Sequence, residues 1–290
     1  MTARALIFGG SGQVGRALQD TAPQSTIVIA HDIHDTDICD ADAVQRAVKD
    51  ARPTTIVNCA GFTNVDNAES CRDDAFRVNA EASGTIAEVA ARASIRLVHI
   101  STDYVFDGTA HQPYPPEAPT GPVNVYGATK LEGERRVLAL SASSVVVRTA
   151  WVHSGSGANF VRTAVRVLRS GQVMRVVDDQ IGTPTRARHL ANALWRIAAH
   201  PGADRLHHFT DAGVASWYDV AVAVMDTLGE AGMLPSGADV APIASEDYPT
   251  PARRPRYSVL DAHACWRTIS YTPPHWRHGV VASTHELLNA

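Results

Sequence analysis

The N-terminal stretch of the chain constrains its fold more than any other. A short apolar run over 4–8 leads to three glycines spaced three residues apart, Gly9, Gly12 and Gly15, and a helical pattern follows. Glycines at this spacing let the backbone turn tightly, bring its N–H groups against a pyrophosphate and seat the helix close to the strand. The spacing alone is also met in ligand-free turns. Its place between a strand and a helix predicts the first unit of a dinucleotide-binding sheet.

Strand and helix patterns go on alternating through the first half of the chain. Between the strands, residues with helical periodicity predict helices, notably 41–51 and 69–93. This alternation is typical of an α/β fold with a doubly wound parallel sheet of the Rossmann type, whose ligands lie at the carboxyl ends of the strands. The later strands are predicted at 26–30, from 56, at 95–100 and at 145–148.

Beyond residue 150 the alternation becomes less regular. Four prolines and three arginines lie between 242 and 256, which excludes regular structure throughout that segment. We therefore predict a dinucleotide-binding domain over 1–150, to which a helix within 186–204 returns. A smaller C-terminal substrate-binding lobe is predicted from 151–185 and 205–290.

Composition favours a soluble globular protein. A formal charge of −4 and a pI near 6.3 give no support for a nucleic-acid or anionic-membrane partner. The four cysteines form no C-x-x-C pair, and the 13 histidines show no metal-binding spacing, so we predict reduced thiols and no metal. The start lacks the apolar run of a signal peptide, and no uncharged apolar stretch approaches a membrane span, so we expect a cytoplasmic location.

Tyr126 and Lys130 stand four residues apart, which places them on one face if the segment is helical. An adjacent ammonium favours the phenolate, so we expect Lys130 to lower the pKa of Tyr126 toward the working range. Of the 26 basic residues only Lys49 and Lys130 are lysines, which suggests that a guanidinium would not serve at position 130. The simpler alternative is two exposed side chains that meet only because of helical spacing.

Polar groups also follow other predicted strands. Ser101, Thr102 and Asp103 come directly after the strand at 95–100, where ligands are expected. Asp32 lies 20 residues beyond Gly12, near the position where a carboxylate meets the adenosine ribose in dinucleotide-binding folds. These positions predict that both ends of a dinucleotide meet polar side chains.

Several motifs together resemble the extended short-chain dehydrogenase/reductase family: Gly9-x-x-Gly12-x-x-Gly15, Asn58-x-Ala60-Gly61, Ser101-Thr102-Asp103 and Tyr126-x-x-x-Lys130. Longer motifs resemble, more narrowly, its dTDP-4-dehydrorhamnose reductases. They run nearly from end to end of the chain in the same order: Ser101 to Gly108, Asn124 to Glu134, Arg148 to Val152, Asp179 to Thr185 and Tyr248 to Pro255.

The resemblance implies reduction of the C4 ketone of dTDP-4-dehydro-L-rhamnose by NADPH or NADH. It implies Tyr126, Lys130 and Thr102 as catalytic residues, with Tyr126 donating a proton to the developing alkoxide. Tyr126 and Lys130 would also contact the cofactor, together with Gly9, Gly12, Gln13, Val14, Asp32, Asp37, Ile38, Gly61, Phe62, Thr63 and Ile100. The implied contacts to the dTDP-sugar substrate are Thr102, Asp103, Trp151 and Arg254.

Simpler interpretations exist for three of these residues. In the simpler interpretation, Thr102 only caps a turn. Likewise Trp151 would be a core aromatic residue, and Arg254 a surface charge. Ala17 stands where family members with an Mg²⁺-bridged dimer have a glutamate, which argues against that mode but leaves a homodimer open. Asp32 disfavours a ribose 2′-phosphate, but neighbouring basic residues offset it, so NADPH and NADH both stay open. Those residues are Arg16, His31 and His34.

Two rival functions are compatible with the resemblance. A nucleotide-sugar dehydratase or epimerase is the nearer one, but dehydratases usually carry Asp-Glu after the catalytic threonine, and here Asp103 is followed by Tyr104. The other is a non-catalytic regulatory subunit similar to the methionine adenosyltransferase β subunit. The presence of Tyr126, Lys130 and Thr102 favours catalysis over that role.

Overall fold

Parallel strand pairing organises the part of the chain that the structure, a computed structural model, describes: residues 3–200, 202 and 204–289. Six strands form one parallel sheet in the order β10-β5-β4-β3-β1-β2, which confirms the predicted doubly wound fold. From β1 the chain first adds β2 on one side and then returns to add β3, β4 and β5 on the other. A ligand-binding crevice forms where the strand order changes direction in this way. The strands are β1 (Ala3–Phe8), β2 (Thr26–His31), β3 (Thr55–Asn58), β4 (Arg96–Thr102), β5 (Val145–Thr149), β6 (Val152–His153), β7 (Val173–Val177), β8 (Ile181–Gly182), β9 (Thr185–Arg186), β10 (Leu206–His208), β11 (Ala215–Ser216) and β12 (Asp239–Ile243).

The helices follow the predicted alternation with one exception. The helix expected over 69–93 breaks at Cys71, and a π-helical turn over Arg77–Glu81 carries the chain into the next α-helix. No helix in the described ranges is both long and apolar enough to span a bilayer. The helices are α1 (Gln13–Asp20), α2 (Ala41–Ala51), α3 (Val65–Ser70), α4 (Arg72–Phe76), α5 (Ala82–Arg92), α6 (Val125–Leu140), α7 (Phe160–Arg169), α8 (Ala187–Ala199), α9 (Trp217–Glu230), α10 (His263–Thr268) and α11 (Trp276–Leu288).

Helices cover both faces of the sheet. On one face, Leu18 of α1 and Leu194 of α8 pack with Val98 of the central strand β4. On the other, apolar residues of α2 and α5, such as Val44 and Ile86, pack against the sheet. Burying one such side chain stabilises the fold by roughly 1.5–3 kcal/mol. Burial on both faces explains why these strands are continuous apolar runs.

The second lobe differs from its predicted division. Its core lies among α7, α9 and α11, which pack near the small paired sheets β12-β7 and β11-β8. The prediction assigned all of 205–290 to this lobe, but β10 pairs with β5, and Cys265 of α10 packs in the core of the large sheet. Leu206–His208 adds a further parallel strand to the large sheet beside β5. A strand of only three residues leaves no clear pattern in the sequence, so its place in the large sheet was not predicted.

The N-terminus of α6 is held where β4 ends. Asn124 caps the helix through Oδ1, which accepts a hydrogen bond from the Gly127 N–H at 2.8 Å. Its Nδ2 donates to the Arg253 carbonyl, and Glu69 accepts from the Val125 N–H. A Cβ at Gly127 would lie 2.1 Å from the Tyr104 carbonyl oxygen. The helix therefore lies closer to the backbone that follows β4 than any side chain at position 127 would permit.

We predict that Gly127→Ala destabilises the protein by about 1–3 kcal/mol or more, since overpacking against fixed backbone forces the helix outward. Urea unfolding measures the change. Gly229→Ala in α9 is the matched control, because a Cβ there meets nothing within 4 Å, and we expect it to stabilise the fold by up to about 1 kcal/mol. Equal stabilities for the two variants would contradict the close approach.

Candidate active site

A cavity of about 600 Å³ opens at the carboxyl ends of the central strands and is bounded on its other side by residues of the second lobe. Its position agrees with the switch-point rule for doubly wound sheets. Most of the residues predicted from the sequence line it: Gly9, Gly12, Gln13, Val14, Asp32, Asp37, Ile38, Gly61, Thr63, Ile100, Thr102, Asp103, Tyr126, Lys130 and Trp151.

The glycine loop forms a cradle at one end of this cavity. Gly9 has a φ of +80°, and a Cβ at that position would lie 2.7 Å from the Ala60 nitrogen. A Cβ at Gly15 would lie 2.2 Å from the Gly9 carbonyl oxygen, so only glycine lets α1 sit this close to β1. The loop ends at the N-terminus of α1, where backbone N–H groups favour an anion. This cradle fits the pyrophosphate of a dinucleotide.

Asp32 lies at the far edge of the same end. The Ser11 side chain and the Ile33 N–H hydrogen-bond this half-buried carboxylate and lower its pKa below the ordinary value. Arg16 and His34 contribute smaller favourable charges, and Arg16 donates a hydrogen bond to the Ser11 carbonyl at 2.8 Å. An ionised carboxylate suits ribose hydroxyls, while the nearby guanidinium suits a phosphate.

Lys130 is a buried residue of the cavity wall. Its Nζ donates a hydrogen bond to the Ile100 carbonyl oxygen at 2.6 Å. Burial lowers the pKa of Lys130 to about 8, which the carboxylate of Glu134 partly opposes. Glu134 is itself held by a bidentate, buried ion pair with Arg148 at 2.7 and 2.9 Å. The lysine is therefore fixed in place, with its ammonium at the end of β4.

Tyr126 corrects one expectation from the sequence. Burial raises the pKa of its phenol to about 12, and hydrogen bonding by Thr102 opposes that rise only in part. The prediction that Lys130 lowers this pKa is wrong for this structure, because the ammonium is directed at the Ile100 carbonyl and desolvation of the phenolate dominates. At neutral pH the phenol keeps its proton.

Thr102 ends β4 beside the phenol, and Asp103 begins the turn that follows. The Thr102 hydroxyl donates to Asp103 Oδ1 at 3.0 Å and accepts from the Tyr104 N–H, so it caps a turn as well as lining the cavity. Asp103 is only 2% exposed, and burial raises its pKa to about 7. Hydrogen bonds from the Ser258 and Thr102 side chains oppose that rise in part.

Trp151 occupies an unusual backbone conformation. Its φ is +47°, which costs a non-glycine residue about 1–2 kcal/mol. Its ring stacks on that of Trp217, with centroids 3.6 Å apart and an interplanar angle of 5°. Stacking of this kind stabilises by about 0.5–1.5 kcal/mol beyond the buried area, comparable with the backbone cost. The strained residue therefore lines the cavity with its side chain fixed by a partner.

Two predicted residues do not line the cavity. Phe62 packs with Tyr126 in a small apolar cluster, and its N–H donates to Asn79 Oδ1 at 2.8 Å. Arg254 forms a two-pronged ion pair with Asp66, at 2.5 and 2.7 Å. The proposed contacts of Phe62 with cofactor and of Arg254 with substrate therefore lack support from the geometry, because each side chain is already engaged elsewhere.

Sequence reasoning also missed part of the cavity wall. The loop after β6 crosses to the glycine loop, where Gln13 Oε1 accepts hydrogen bonds from Ser154 Oγ and Asn159 Nδ2, both at 2.9 Å. The small residues of 154–158 could have indicated from the sequence that this loop lies near a ligand. No residue pattern near Trp217 indicates that it lines the cavity. Within the described ranges, no three His, Cys, Asp or Glu side chains converge as metal ligands.

We predict that Asp103→Asn gains stability relative to the wild type as pH rises from about 4 to about 7. In that window the folded wild type holds a proton that the unfolded chain has released, so its stability falls with pH. The asparagine variant has no such proton, and each pKa unit corresponds to about 1.4 kcal/mol. Urea unfolding at several pH values measures the difference. Asp50→Asn, at an exposed position of α2, is the control, and an identical pH trend in both variants would contradict the prediction.

The sequence is similar to those of known reductases over nearly its whole length. A "dTDP-4-keto-6-deoxy-D-glucose reductase" from Streptomyces niveus is 41% identical over 296 residues, covering 100% of this chain and 99% of the relative. A "dTDP-4-dehydrorhamnose reductase" from Escherichia coli K12 is 36% identical, with 97% of each chain covered. Both similarities extend through the glycine loop, the cavity wall and the second lobe.

The fold is also similar to those of solved reductase structures. A dTDP-4-dehydrorhamnose reductase from Clostridium acetobutylicum superposes with a TM-score of 0.91 at 34% identity, covering 99% of this chain and 100% of that one. The Bacillus anthracis reductase in complex with NADP also has a TM-score of 0.91, at 31% identity and full coverage of both chains. The family model described as RmlD substrate binding domain matches residues 3–289, so the chain belongs to that family of reductases.

Proposed function

We propose that this protein reduces the C4 ketone of dTDP-4-dehydro-L-rhamnose with NADPH or NADH to give dTDP-L-rhamnose. The single observation that carries the proposal is the convergence of Tyr126, Lys130 and Thr102 on one cavity that also contains a glycine cradle. The names of the Escherichia coli and Clostridium acetobutylicum relatives support the substrate, and the NADP complex of the Bacillus anthracis relative supports the cofactor.

The cofactor-binding residues follow the length of the cavity. Gly9, Gly12 and the N-terminus of α1 would hold the pyrophosphate, and Asp32 would accept hydrogen bonds from the adenosine ribose. Asp37 and Ile38 would border the adenine, while Gly61, Thr63 and Ile100 would border the inner half. Bound there, the reduced nicotinamide supplies a hydride to the ketone carbon.

Tyr126 would supply the proton. Reduction of a ketone turns its oxygen into an alkoxide, which is a stronger base than a phenolate and takes a proton from a neutral phenol. Burial raises the pKa of Tyr126 to about 12, and the phenol keeps its proton at neutral pH as it would with its ordinary pKa. The tyrosine can therefore act as the acid in the reductive direction.

Thr102, Asp103 and Lys130 would orient this transfer. The Thr102 hydroxyl lies beside the phenol, and in our proposal it turns from Asp103 Oδ1 to donate to the same substrate oxygen. Asp103, which also lines the cavity, would contact the sugar. Lys130 has donor capacity beyond its bond to Ile100, because an ammonium carries three N–H groups. We assign those donors to the nicotinamide ribose.

A second candidate substrate comes from the Streptomyces niveus relative, whose name gives dTDP-4-keto-6-deoxy-D-glucose. The reacting C4 ketone is the same, and the two sugars differ in configuration at other ring carbons. The residues assigned to proton transfer serve both substrates equally. The choice therefore depends on the wall formed by the second lobe.

We further propose that the protein acts in the cytoplasm without nucleic-acid or membrane partners, alone or as a homodimer. The formal charge of −4 supports the absence of polyanionic partners. Ala17 replaces the glutamate of the Mg²⁺-bridged dimers, so light scattering with and without Mg²⁺ should give the same mass.

Incubation of the purified protein with each keto-sugar nucleotide and NADPH or NADH tests the function. We expect loss of the cofactor absorbance in proportion to the keto-sugar consumed, and a deoxysugar nucleotide as product. The preferred sugar will show the higher kcat/KM. If neither keto-sugar causes stoichiometric oxidation of either cofactor, the proposed function is wrong.

We predict that Tyr126→Phe lowers turnover roughly 100-fold or more, the scale of general acid catalysis, while cofactor affinity stays within a few-fold. Steady-state rates and cofactor titration measure the two effects. Tyr104→Phe is the matched control, since Tyr104 contacts the Tyr126 ring edge-on at 5.9 Å but does not line the cavity. Near-normal turnover in Tyr126→Phe would remove the phenol from its assigned role.

We predict that Lys130→Arg lowers kcat/KM by roughly 10-fold or more, because a planar guanidinium is bulkier than an ammonium. Lys130 is buried, and its Nζ lies 3.9 Å from the position of a Cβ at Gly61, so there is little room. Lys49→Arg, at an exposed position of α2, is the matched control and should leave the rate unchanged. An unaffected rate in Lys130→Arg would refute the inference from lysine scarcity.

A further inference from the structure

Residues 154–159, here called the strap, connect β6 to α7 and cross to the glycine loop. Ser154 Oγ and Asn159 Nδ2 both donate hydrogen bonds to Gln13 Oε1, each at 2.9 Å. Gly157 has a φ of +73°, and a Cβ at that position would lie 3.1 Å from Gln13 Cγ, so the middle of the strap also lies against this side chain. Gln13 therefore joins the strap to the pyrophosphate cradle.

A second anchor holds the strap to α11. Glu286 accepts a hydrogen bond from the Gly155 N–H at 3.1 Å and forms an ion pair with Arg186. A Cβ at Gly155 would lie 2.3 Å from Glu286 Cβ, so only a glycine lets the strap meet α11 this closely. Glu286 does not line the cavity. It therefore holds the strap from outside the space that a cofactor would fill.

The strap has few bonds besides these. Residues 155–158 make no backbone–backbone hydrogen bond with any residue in the described ranges. Ser154 Oγ also lies 2.7 Å from the Ser156 carbonyl oxygen, so its single proton is shared between two acceptors. The two ends are fixed, because β6 pairs with β9 and Val161 of α7 packs in the core of the second lobe. A segment held by side chains between fixed ends opens at a lower free energy than the elements that flank it.

The strap borders the place that a cofactor would occupy. Ala158 and Asn159 line the cavity, as do Gly12 and Gln13 of the cradle. A dinucleotide whose pyrophosphate lies in the cradle is therefore next to the strap. A reductase oxidises one reduced cofactor in each turnover, so the cofactor has to leave and be replaced every time. The strap is a weakly bonded part of the wall past which it can move.

We propose that the strap opens at Gln13 to let the dinucleotide cofactor enter and leave, and closes against the cradle when Ser154 and Asn159 bond Gln13. This inference rests on the proposed function, which supplies the class of cofactor and the need for exchange. Ser154 and Glu286 are positioning residues that act on the strap. Because opening precedes both binding and release, a weaker hold on the strap raises both rate constants and leaves the Kd nearly unchanged.

Stopped-flow fluorescence of NADPH binding to the full-length protein, without any sugar nucleotide, tests the inference. We expect Ser154→Ala to raise the association and dissociation rate constants about 3- to 10-fold each, the scale of one hydrogen bond, with the Kd within about 2-fold. Ser170→Ala is the matched control, because this exposed serine lies beyond the other end of α7 and donates to the Val167 carbonyl at 2.7 Å. Its rate constants should equal those of the wild type.

Glu286→Ala separates opening of the strap from direct contact with the cofactor. This variant removes the anchor at Gly155 without changing a residue that lines the cavity, and we expect the same rise in both rate constants. Loss of a direct contact would instead raise the dissociation rate constant alone. Amide hydrogens of a peptide covering the strap should also exchange faster in Glu286→Ala and Ser154→Ala. Glu230→Ala, at an exposed position of α9, is the control.

Three results would overturn the inference: an unchanged association rate constant in Ser154→Ala and Glu286→Ala, a rise in the dissociation rate constant alone, or an equal change in Ser170→Ala. Each is measured on cofactor binding without a sugar nucleotide, so it leaves the proposed ketone reduction intact. Absence of turnover with every keto-sugar nucleotide would overturn the proposed function, while the binding rates of the strap variants would still be measurable.

Discussion

The close approach of α6 to its neighbours is the constraint on which the site depends. A Cβ at Gly127 would lie 2.1 Å from the Tyr104 carbonyl, and one at Gly133 would lie 2.2 Å from the Asn79 carbonyl. The helix is therefore seated directly on backbone on two sides. This seat brings Tyr126 beside Thr102 and the Lys130 ammonium to the end of β4, because side chains between these elements would hold them apart.

Burial then sets the chemistry of the groups that α6 and β4 bring together. Desolvation disfavours every charged form, so the pKa rises to about 12 for Tyr126 and to about 7 for Asp103, and falls to about 8 for Lys130. Hydrogen bonds and charges modify these shifts without reversing them. A neutral phenol follows, which is the form that protonates an alkoxide.

The second lobe encloses the cavity at the carboxyl ends of the sheet strands. The loop after β6 is tied to the glycine loop through Gln13, and the aromatic stack fixes Trp151 over the end of β5. Arg254 holds the proline-rich segment to α3 through Asp66, so its charge serves the architecture and not the cavity. The sheet thus carries the proposed proton chemistry, and the lobe shapes the space around it.

The sequence alone determined the doubly wound sheet, the glycine cradle and the spacing of Tyr126 and Lys130, because these depend on local periodicity and on residues close together in the chain. It also indicated Thr102 and Asp103, since polar residues directly after a buried strand lie at the ligand-binding edge. Only the tertiary structure decided the direction of the Tyr126 pKa shift, the pairing of Arg254 with Asp66 and the stacking of Trp217 on Trp151. Desolvation and contacts between distant segments control those features, and neither leaves a periodic signal in the chain.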